Sequence, residues 1–275
     1  SVLEKLNIKG LIKQEKKLGD VQVCVDVDTK KPVVLKYKDR FLHMLILGPT
    51  GSGKTSQVII PMINQDMQNP ECGITVLEPK GDLAEKVYAM AECYGRKAIY
   101  FNPILPSCPY FNPLHGKEED VIENMATTFK MLNPDSPQFF KDMNETLIRN
   151  ALKVLKRLYG NKATLIDLSR LLYNAGGEGR KMVMAFSRLN ASSEDVAKEN
   201  ADIASWFLND YFNEKSKTYE HCSGLRSQVS KITSNKYLRR VLNPPNGEND
   251  VDFDKHLENG GVIAISTAQG ALRDL

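Results

Sequence analysis

The sequence lacks long apolar runs, patterned cysteines and a strong excess of charge. No stretch approaches the roughly 18 apolar residues of a membrane-spanning helix, and no secretory signal opens the chain. The five cysteines form no C-x-x-C pair, which indicates reduced thiols and argues against a disulfide framework or a cysteine-bound zinc. The 37 basic and 34 acidic residues leave a net charge of only +3, so bulk charge does not indicate a nucleic-acid binder.

The remaining composition is that of a folded protein with a sizeable core. The chain has 275 residues, of which 41% are apolar and 26% charged, close to globular averages. Its four histidines lack the spacing of metal ligands, so we expect no zinc site (His43, His115, His221 and His256). The chain begins at Ser1 and ends at Leu275 directly after a strand-like run, and we therefore expect a fragment of a longer protein.

Periodicity along the chain predicts an α/β fold. Residues 21–27 and 32–37 alternate as in a β-hairpin, and residues 41–47 form an apolar run typical of a strand buried in a parallel sheet. A helix is predicted to about residue 67, and a strand, a helix and a strand follow at 73–77, 83–93 and 98–101. This alternation is typical of a mostly parallel sheet.

The pattern then changes to helices alone. After a loop at 102–116, apolar residues recur at helical spacing in 118–132, 138–159, 164–174, 179–189 and 194–213. Helices are also predicted at 218–233 and 252–257, and a strand at 261–266 resumes the sheet. We therefore expect an N-terminal segment with a hairpin (1–40), a nucleotide-binding domain (41–116, continued at 218–275) and a separable all-α insertion (117–217).

A phosphate-binding loop stands between the first predicted parallel strand and its helix. Residues 48–55 match G-x-x-x-x-G-K-[ST], in which glycines let successive N–H groups point at phosphate oxygens. Lys54 would place a cation at the β- and γ-phosphates, and the Thr55 hydroxyl would bind Mg²⁺. The expected nucleotide-binding residues are Gly48, Pro49, Thr50, Gly51, Ser52, Gly53, Lys54, Thr55 and Ser56.

Hydrolysis also requires an acidic group, for which the sequence offers one candidate. Glu78 ends the predicted strand at 73–77, where it would act on the metal or the attacking water, or fix the turn that follows. The last strand stops at Ser266-Thr267 without an acid. We therefore expect the main catalytic carboxylate beyond Leu275, and nucleotide binding by this chain with little or no hydrolysis.

Three further groups of residues have two interpretations each. The aromatic stripe around Trp206 is expected in a core, with partner docking as the alternative. Arg239-Arg240 is expected at the surface, with an arginine finger as the alternative. A basic cluster is expected to be a solvated face, with contact to DNA or a substrate as the alternative (Lys153, Lys156, Arg157 and Lys162).

Several segments together resemble the coupling proteins of conjugative type IV secretion, the TraG/TraD family. These are the loop at 48–55, Leu77-Glu78-Pro79-Lys80-Gly81-Asp82-Leu83, Phe101-Asn102-Pro103, Phe111-Asn112-Pro113-Leu114 and Gly224-Leu225-Arg226-Ser227. The family usually has aspartate where this chain has Glu78. The resemblance implies a RecA-like P-loop ATPase with an inserted all-α domain, with ATP and Mg²⁺ as its cofactors.

The resemblance also implies a cellular role. Proteins of this family act at the cytoplasmic face of the bacterial inner membrane, where they recruit and help to pump DNA–protein substrates. The expected partners are DNA bound weakly and without sequence preference, a relaxase or other secreted substrate on the all-α domain, further secretion subunits, and copies of the chain in a ring. Another motor ATPase of the secretion machine, or a small-molecule P-loop kinase or transferase, remains the alternative.

Overall fold

A computed structural model of the chain describes residues 19–79 and 82–267. This part divides into two compact units. The sheet unit comprises the described residues up to Asn102 and from Asp252 to Thr267, and the helical unit comprises Pro103–Val251. The Lys-rich start of the expected N-terminal segment, Lys80, Gly81 and residues 268–275 lie outside the described residues.

The sheet unit begins with the predicted hairpin, which is confirmed. Strand β1 (Val21–Val25) pairs antiparallel with β2 (Pro32–Leu35). The Asp26 carboxylate closes the turn because it accepts hydrogen bonds from the backbone N–H and the hydroxyl of Thr29, both at 2.6 Å. The Gln65 side chain bonds both the N–H and the C=O of Gln22 at 2.9 Å, so the hairpin is fixed to the helix that follows the loop at 48–55.

A parallel sheet of three strands forms the centre of the sheet unit. Its order is β3 (Ile74–Glu78), β5 (Val262–Ser266) and β4 (Ala98–Phe101), with Ile74 and Ala98 both level with Val262. Helices α1 (Ile60–Met67) and α2 (Leu83–Cys93) cover it, and the core contains Met67, Val87 and Val262. The predicted strands at these places and the return of the chain to the sheet are confirmed.

The strand predicted at residues 41–47 is wrong. The segment begins with a short 3₁₀ turn (Asp39–Phe41), and the residues after it form no strand. Leu45 and Leu47 are 80% and 82% exposed. An apolar run becomes a strand only where a neighbouring strand takes up its backbone hydrogen bonds. Among the described residues, no strand of the three-stranded sheet pairs with this segment.

The helical unit contains no strand among its described residues, as predicted for 117–217. Its longest helix is amphipathic, and the buried side chains of that helix include Leu147, Leu152 and Leu155. Its helices are α3 (Glu118–Leu132), α4 (Gln138–Tyr159), α5 (Leu165–Tyr173), α6 (Glu178–Phe186), α7 (Glu194–Trp206), α8 (Thr218–His221), α9 (Ser223–Ser234) and α10 (Lys236–Val241). Helix α11 (Phe253–Glu258) belongs to the sheet unit.

Two helical details differ from the sequence prediction. The single helix predicted at 218–233 is interrupted at Cys222, which separates α8 from α9. Helix α10 was not predicted, although the Asn235 side chain accepts hydrogen bonds from Tyr237 N and Leu238 N as an N-cap residue does. The sequence therefore contained the capping signal, but six residues are too short for a clear helical period.

The aromatic stripe lies in the core of the helical unit, as predicted. Helix α7 continues into a π-helical turn (Phe207–Tyr211), whose residues Phe207 and Tyr211 are completely buried. Trp206 stacks on Tyr211 with ring centroids 5.7 Å apart. The buried Tyr211 hydroxyl donates to Leu172 O at 2.8 Å, so the aromatic cluster also fixes the end of α5.

Asn112, in the Phe-Asn-Pro-Leu segment, joins three distant parts of the helical unit. Its side chain is 1% exposed and donates to Ala163 O and Gly247 O, both at 2.8 Å, while its Oδ1 accepts from Leu114 N at 3.0 Å. Its own N–H donates to Asn249 Oδ1 at 2.5 Å. The segment that begins the helical unit is thereby tied to the segment that ends it.

Two cations satisfy further carbonyl groups in the same region. The buried Lys156 ammonium donates to Leu114 O at 2.9 Å and Gly116 O at 2.8 Å. Burial also lowers the pKa of Lys156, because the charged form loses its hydration. Arg240 donates to Pro103 O at 2.8 Å and Leu105 O at 2.5 Å. The two ends of the helical unit are therefore held together by side-chain donors.

The domain boundaries expected from the sequence stay a prediction. The helical unit, Pro103–Val251, is a set of residues in mutual contact, and contacts alone do not test whether a shorter piece folds. Its core does include Leu114 and Val229, both of which lie outside 117–217.

We predict that replacing Asn112 by alanine strongly destabilises the protein. The change leaves buried carbonyls without donors, each of which costs about 1–3 kcal/mol, and we expect the free energy of unfolding to fall by at least that amount. Urea unfolding measures it. The matched control is Asn190→Ala, because Asn190 is exposed and forms no hydrogen bond with any described residue. Equal stability of the two variants would contradict the role of Asn112.

Candidate nucleotide-binding site

The loop at residues 48–55 has the backbone conformation that its glycines permit. Gly51 and Gly53 have φ angles of 81° and 83°, in the left-handed region that side chains disfavour. A Cβ on Gly53 would also lie 2.9 Å from the Gln57 side chain. Ser52 N donates to Pro49 O at 3.2 Å, which closes the loop. Replacing either glycine would strain a turn that directs the chain into the following helix.

A helix begins directly at Lys54. Its first six residues (Lys54–Ile59) form a π-helical turn that runs on into α1. Gln57 N donates to Gly53 O at 2.8 Å. The amides of Lys54, Thr55 and Ser56 lie in the first turn, where an N–H group has no acceptor within the helix. Free N–H groups and the positive end of the helix dipole make such a position favourable for an anion.

The Lys54 side chain folds back over the loop. Its ammonium donates to Gly48 O at 2.6 Å and Pro49 O at 2.9 Å. These contacts hold the ammonium over the loop at 48–55, next to the amides of Lys54, Thr55 and Ser56. Thr55 and Ser56 are exposed, so the hydroxyl expected to bind Mg²⁺ is accessible. Glycine-permitted turns, free amides, a cation and a hydroxyl are together the groups that a Mg²⁺–polyphosphate requires.

Two arginines that the sequence analysis did not single out hold the helix after this loop. Arg40 forms a bidentate ion pair with Asp66 in α1, with distances of 2.8 and 2.5 Å. Arg96 donates to Met67 O at 2.8 Å, Asn69 O at 3.0 Å, Cys72 O at 2.5 Å and Gly260 O at 2.5 Å. Carbonyl acceptors leave no pattern of residue types in a sequence, so Arg96 could not be recognised there.

The Glu78 carboxylate contacts the start of α2. One carboxylate oxygen accepts a hydrogen bond from Leu83 N, the first amide of α2, at 2.5 Å. The carboxylate therefore satisfies an N-terminal amide of α2 and lies at the positive end of that helix. No hydrogen bond or ion pair joins Glu78 to residues 48–56 among the described residues. Its action on a metal or on water stays a prediction.

The basic cluster of the helical unit is mostly used internally. Lys153 and Arg157 both pair with Glu199, the latter at 2.6 Å, and Arg157 also pairs with Glu118 at 2.8 Å. Lys156 is buried on carbonyl groups. Only Lys162 matches the solvated face that was expected. A paired cation is neutralised by its carboxylate, and a buried cation is not accessible to a phosphate. A DNA contact through this cluster is therefore not favoured.

The adjacent arginines of α10 have different surroundings. Arg239 is exposed, whereas Arg240 is occupied by Pro103 O and Leu105 O inside the helical unit. An arginine finger has to reach a phosphate on a neighbouring subunit. Of the two, Arg239 is the one whose side chain is accessible for such a contact.

Comparison with protein families identifies what the chain is similar to. A family model described as "Type IV secretory system Conjugative DNA transfer" matches residues 2–237, which is most of the chain. The match spans the loop at 48–55, β3, β4 and nearly all of the helical unit. A search of curated proteins found no match.

We predict that Glu78 contributes to stability through α2. Glu78→Ala removes the acceptor of Leu83 N, and the loss of such a cap lowers the free energy of unfolding by about 1 kcal/mol. Glu78→Gln keeps an oxygen acceptor and should lose less. Chemical unfolding of both variants measures the difference. Unchanged stability of Glu78→Ala would contradict this contribution to α2.

Proposed function

The chain belongs to the family of type IV secretory system conjugative DNA transfer proteins, and we propose that its sheet unit binds ATP with Mg²⁺. In this proposal the protein is the motor part of a coupling protein that recruits and helps to pump DNA–protein substrates. The proposed fold is that of a RecA-like P-loop ATPase with an all-α insertion. Family membership supports the role in transfer, and the loop at 48–56 supports nucleotide binding.

The observation that carries the proposal is the junction between the loop and its helix. Gly51 and Gly53 turn the chain through left-handed conformations, and the helix begins at Lys54 with free amides. Lys54 is held over the loop by two carbonyl groups. A polyphosphate would compete with these carbonyls for the ammonium, because a charged oxygen is the stronger acceptor.

Different groups of residues 48–56 would bind the phosphates and the metal. The amides and Lys54 would hold the phosphates and neutralise their charge, while Thr55 would supply an oxygen ligand to Mg²⁺. Bound Mg²⁺ would neutralise the charge that develops during phosphoryl transfer. Arg40 and Arg96 would keep α1, and therefore the Lys54 end of the helix, in a fixed position. ATP hydrolysis is part of the proposed function of the whole protein.

The proposed partners follow from transfer of a DNA–protein substrate. DNA would bind without sequence preference, because a motor must move along any sequence, and the small net charge of +3 predicts weak binding by one copy. A relaxase or other secreted protein would bind the helical unit, and copies of the chain would form a ring with other secretion subunits. The proposed location is the cytoplasmic face of the bacterial inner membrane. None of the helices in the described part of the chain is long and apolar enough to cross a membrane.

We predict that nucleotide binding depends on Lys54. Charge-assisted hydrogen bonds of this kind contribute about 1.5–3 kcal/mol, so Lys54→Ala should weaken binding of a labelled ATP analogue with Mg²⁺ by about tenfold to a hundredfold. Fluorescence titration of both proteins measures the dissociation constants.

The matched control for this prediction is Lys97→Ala in the same unit. Lys97 is exposed and pairs with no described carboxylate, so its removal changes the net charge equally without touching the loop. Equal affinities of Lys54→Ala and Lys97→Ala for the analogue would remove the basis of the proposed site.

A further inference from the structure

The helical unit contains a buried arginine whose charge has no carboxylate partner. Arg226, in α9, is 7% exposed. Its Nη1 donates to Tyr219 O at 2.5 Å and to the Tyr211 hydroxyl at 3.3 Å, and its guanidinium lies 3.5 Å from the centre of the Tyr219 ring. None of these groups is an anion. Among the described residues no carboxylate pairs with Arg226 and no acceptor bonds its Nε or Nη2.

A buried cation without a counter-ion is unfavourable unless something else compensates its charge. The ring of Tyr219 offers a partial compensation through a cation–π contact. Nε and Nη2 of Arg226 have no acceptor among the described residues, because Nη1 makes both of the described hydrogen bonds. The free nitrogens therefore remain available to a ligand with oxygen acceptors.

Arg226 lines an open cavity of about 400 Å³ that contains other donors. Ser223, Ser227 and Ser230 line it from the same helix, because residues three and four apart lie on one face. Their hydroxyls have no hydrogen-bond partner among the described residues. Lys231 adds a second cation to the lining, and it forms no ion pair within the described chain.

The groups around this cavity are those that bind an oxyanion. Its described lining contains two cations, several hydroxyls and no carboxylate. The planar guanidinium fork matches a carboxylate or a phosphate through two parallel hydrogen bonds, and hydroxyls can take up the remaining oxygen lone pairs. Two residues of the lining are also joined to each other, since the hydroxyl of Tyr173 donates to Arg226 O at 3.0 Å.

A second cavity next to the first has the opposite charge. It measures about 360 Å³ and shares Tyr173 and Tyr219 with the Arg226 cavity. Its lining includes Glu214 and Glu220, both exposed, and no cation among the described lining residues. A nucleic acid that extended from the first cavity into the second would place phosphates against these carboxylates, which is repulsive. A polypeptide can present both signs of charge.

We propose that these two cavities form a binding site for a polypeptide segment of mixed charge. A carboxylate of the segment would occupy the Arg226 cavity, and a basic side chain would lie beside Glu214 and Glu220. The carboxylate could belong to an acidic side chain or to the C-terminus of the bound protein. The inference rests on the proposed recruitment of protein substrates by the helical unit, and it does not depend on nucleotide binding.

The test uses the full chain without nucleotide and a defined set of probes. The probes are labelled ten-residue peptides in which one glutamate and one lysine stand one to five residues apart in a glycine–serine background, each with an amidated or a free C-terminus. Glutamate-to-glutamine and lysine-to-glutamine versions show which charge is required. The two C-termini distinguish the sources of the carboxylate. Labelled single-stranded DNA and inorganic phosphate are titrated in parallel.

Three variants and one control connect the binding to these residues. Arg226→Lys keeps the charge but removes the fork, and we expect about tenfold weaker peptide binding. Lys231→Ala should weaken binding of peptides with a carboxylate, and Glu220→Gln should remove the preference for lysine. The control is Lys198→Ala, because Lys198 is exposed on α7 and pairs with no described residue. Lys231 and Glu220 are exposed, so they test the site even if Arg226→Lys destabilises the unit.

The outcomes separate the possibilities. Binding of a peptide that requires its carboxylate and is weakened by Lys231→Ala but not by Lys198→Ala supports the proposal. Absence of binding by every peptide, or peptide binding that Lys231→Ala and Glu220→Gln leave unchanged, overturns it. So does single-stranded DNA binding, or phosphate binding alone, that is lost in Lys231→Ala while peptides do not bind. None of these results depends on Lys54, so failure here is distinct from failure of the nucleotide site.

Discussion

The sheet unit depends on one guanidinium group, which donates hydrogen bonds to backbone carbonyls at the ends of several elements. Arg96 donates to carbonyls at the end of α1, before β3 and before β5. Each of these carbonyls would otherwise lie partly buried without a donor, which costs more than a formed hydrogen bond contributes. Because the C-terminal end of α1 is held in this way and Asp66 is paired with Arg40, the helix that begins at Lys54 has a fixed axis. The geometry of the candidate nucleotide site follows from that axis.

In the helical unit, other side chains donate hydrogen bonds to backbone carbonyls that would otherwise lack a donor. Asn112 and Lys156 supply donors to carbonyls where the chain enters and leaves the unit, and Arg240 adds two further hydrogen bonds. The Phe-Asn-Pro-Leu segment, by which the chain resembles its family, therefore has a structural task in this unit. Arg226 differs from these residues, because its remaining donors face a cavity instead of a carbonyl. That difference separates a residue that holds the fold from one that is available to a ligand.

The sequence predicted the elements whose signal is local. Helical spacing identified α3 and α4 to the residue, because burial of one face repeats along each helix. The alternation of residue types identified the hairpin of β1 and β2, although β2 has no buried residue. The glycine pattern likewise located the loop before Lys54. The strand at 41–47 was wrong because a strand needs a partner that its own residues do not specify. The contacts of Arg96, Asn112 and Arg226 could not be predicted from the sequence, since their partners are backbone groups or residues brought close only by folding.

The central claim is that the amides at the start of the helix, from Lys54 to Ser56, bind the phosphates of a nucleotide. Hydrogen–deuterium exchange of the chain, with and without a non-hydrolysable ATP analogue and Mg²⁺, tests this directly, because exchange slows where an amide gains an acceptor. The account predicts slower exchange in peptides that cover residues 48–56 when the analogue is present. Unchanged exchange at 48–56 under saturating analogue, or slowing confined to the helical unit, would contradict it.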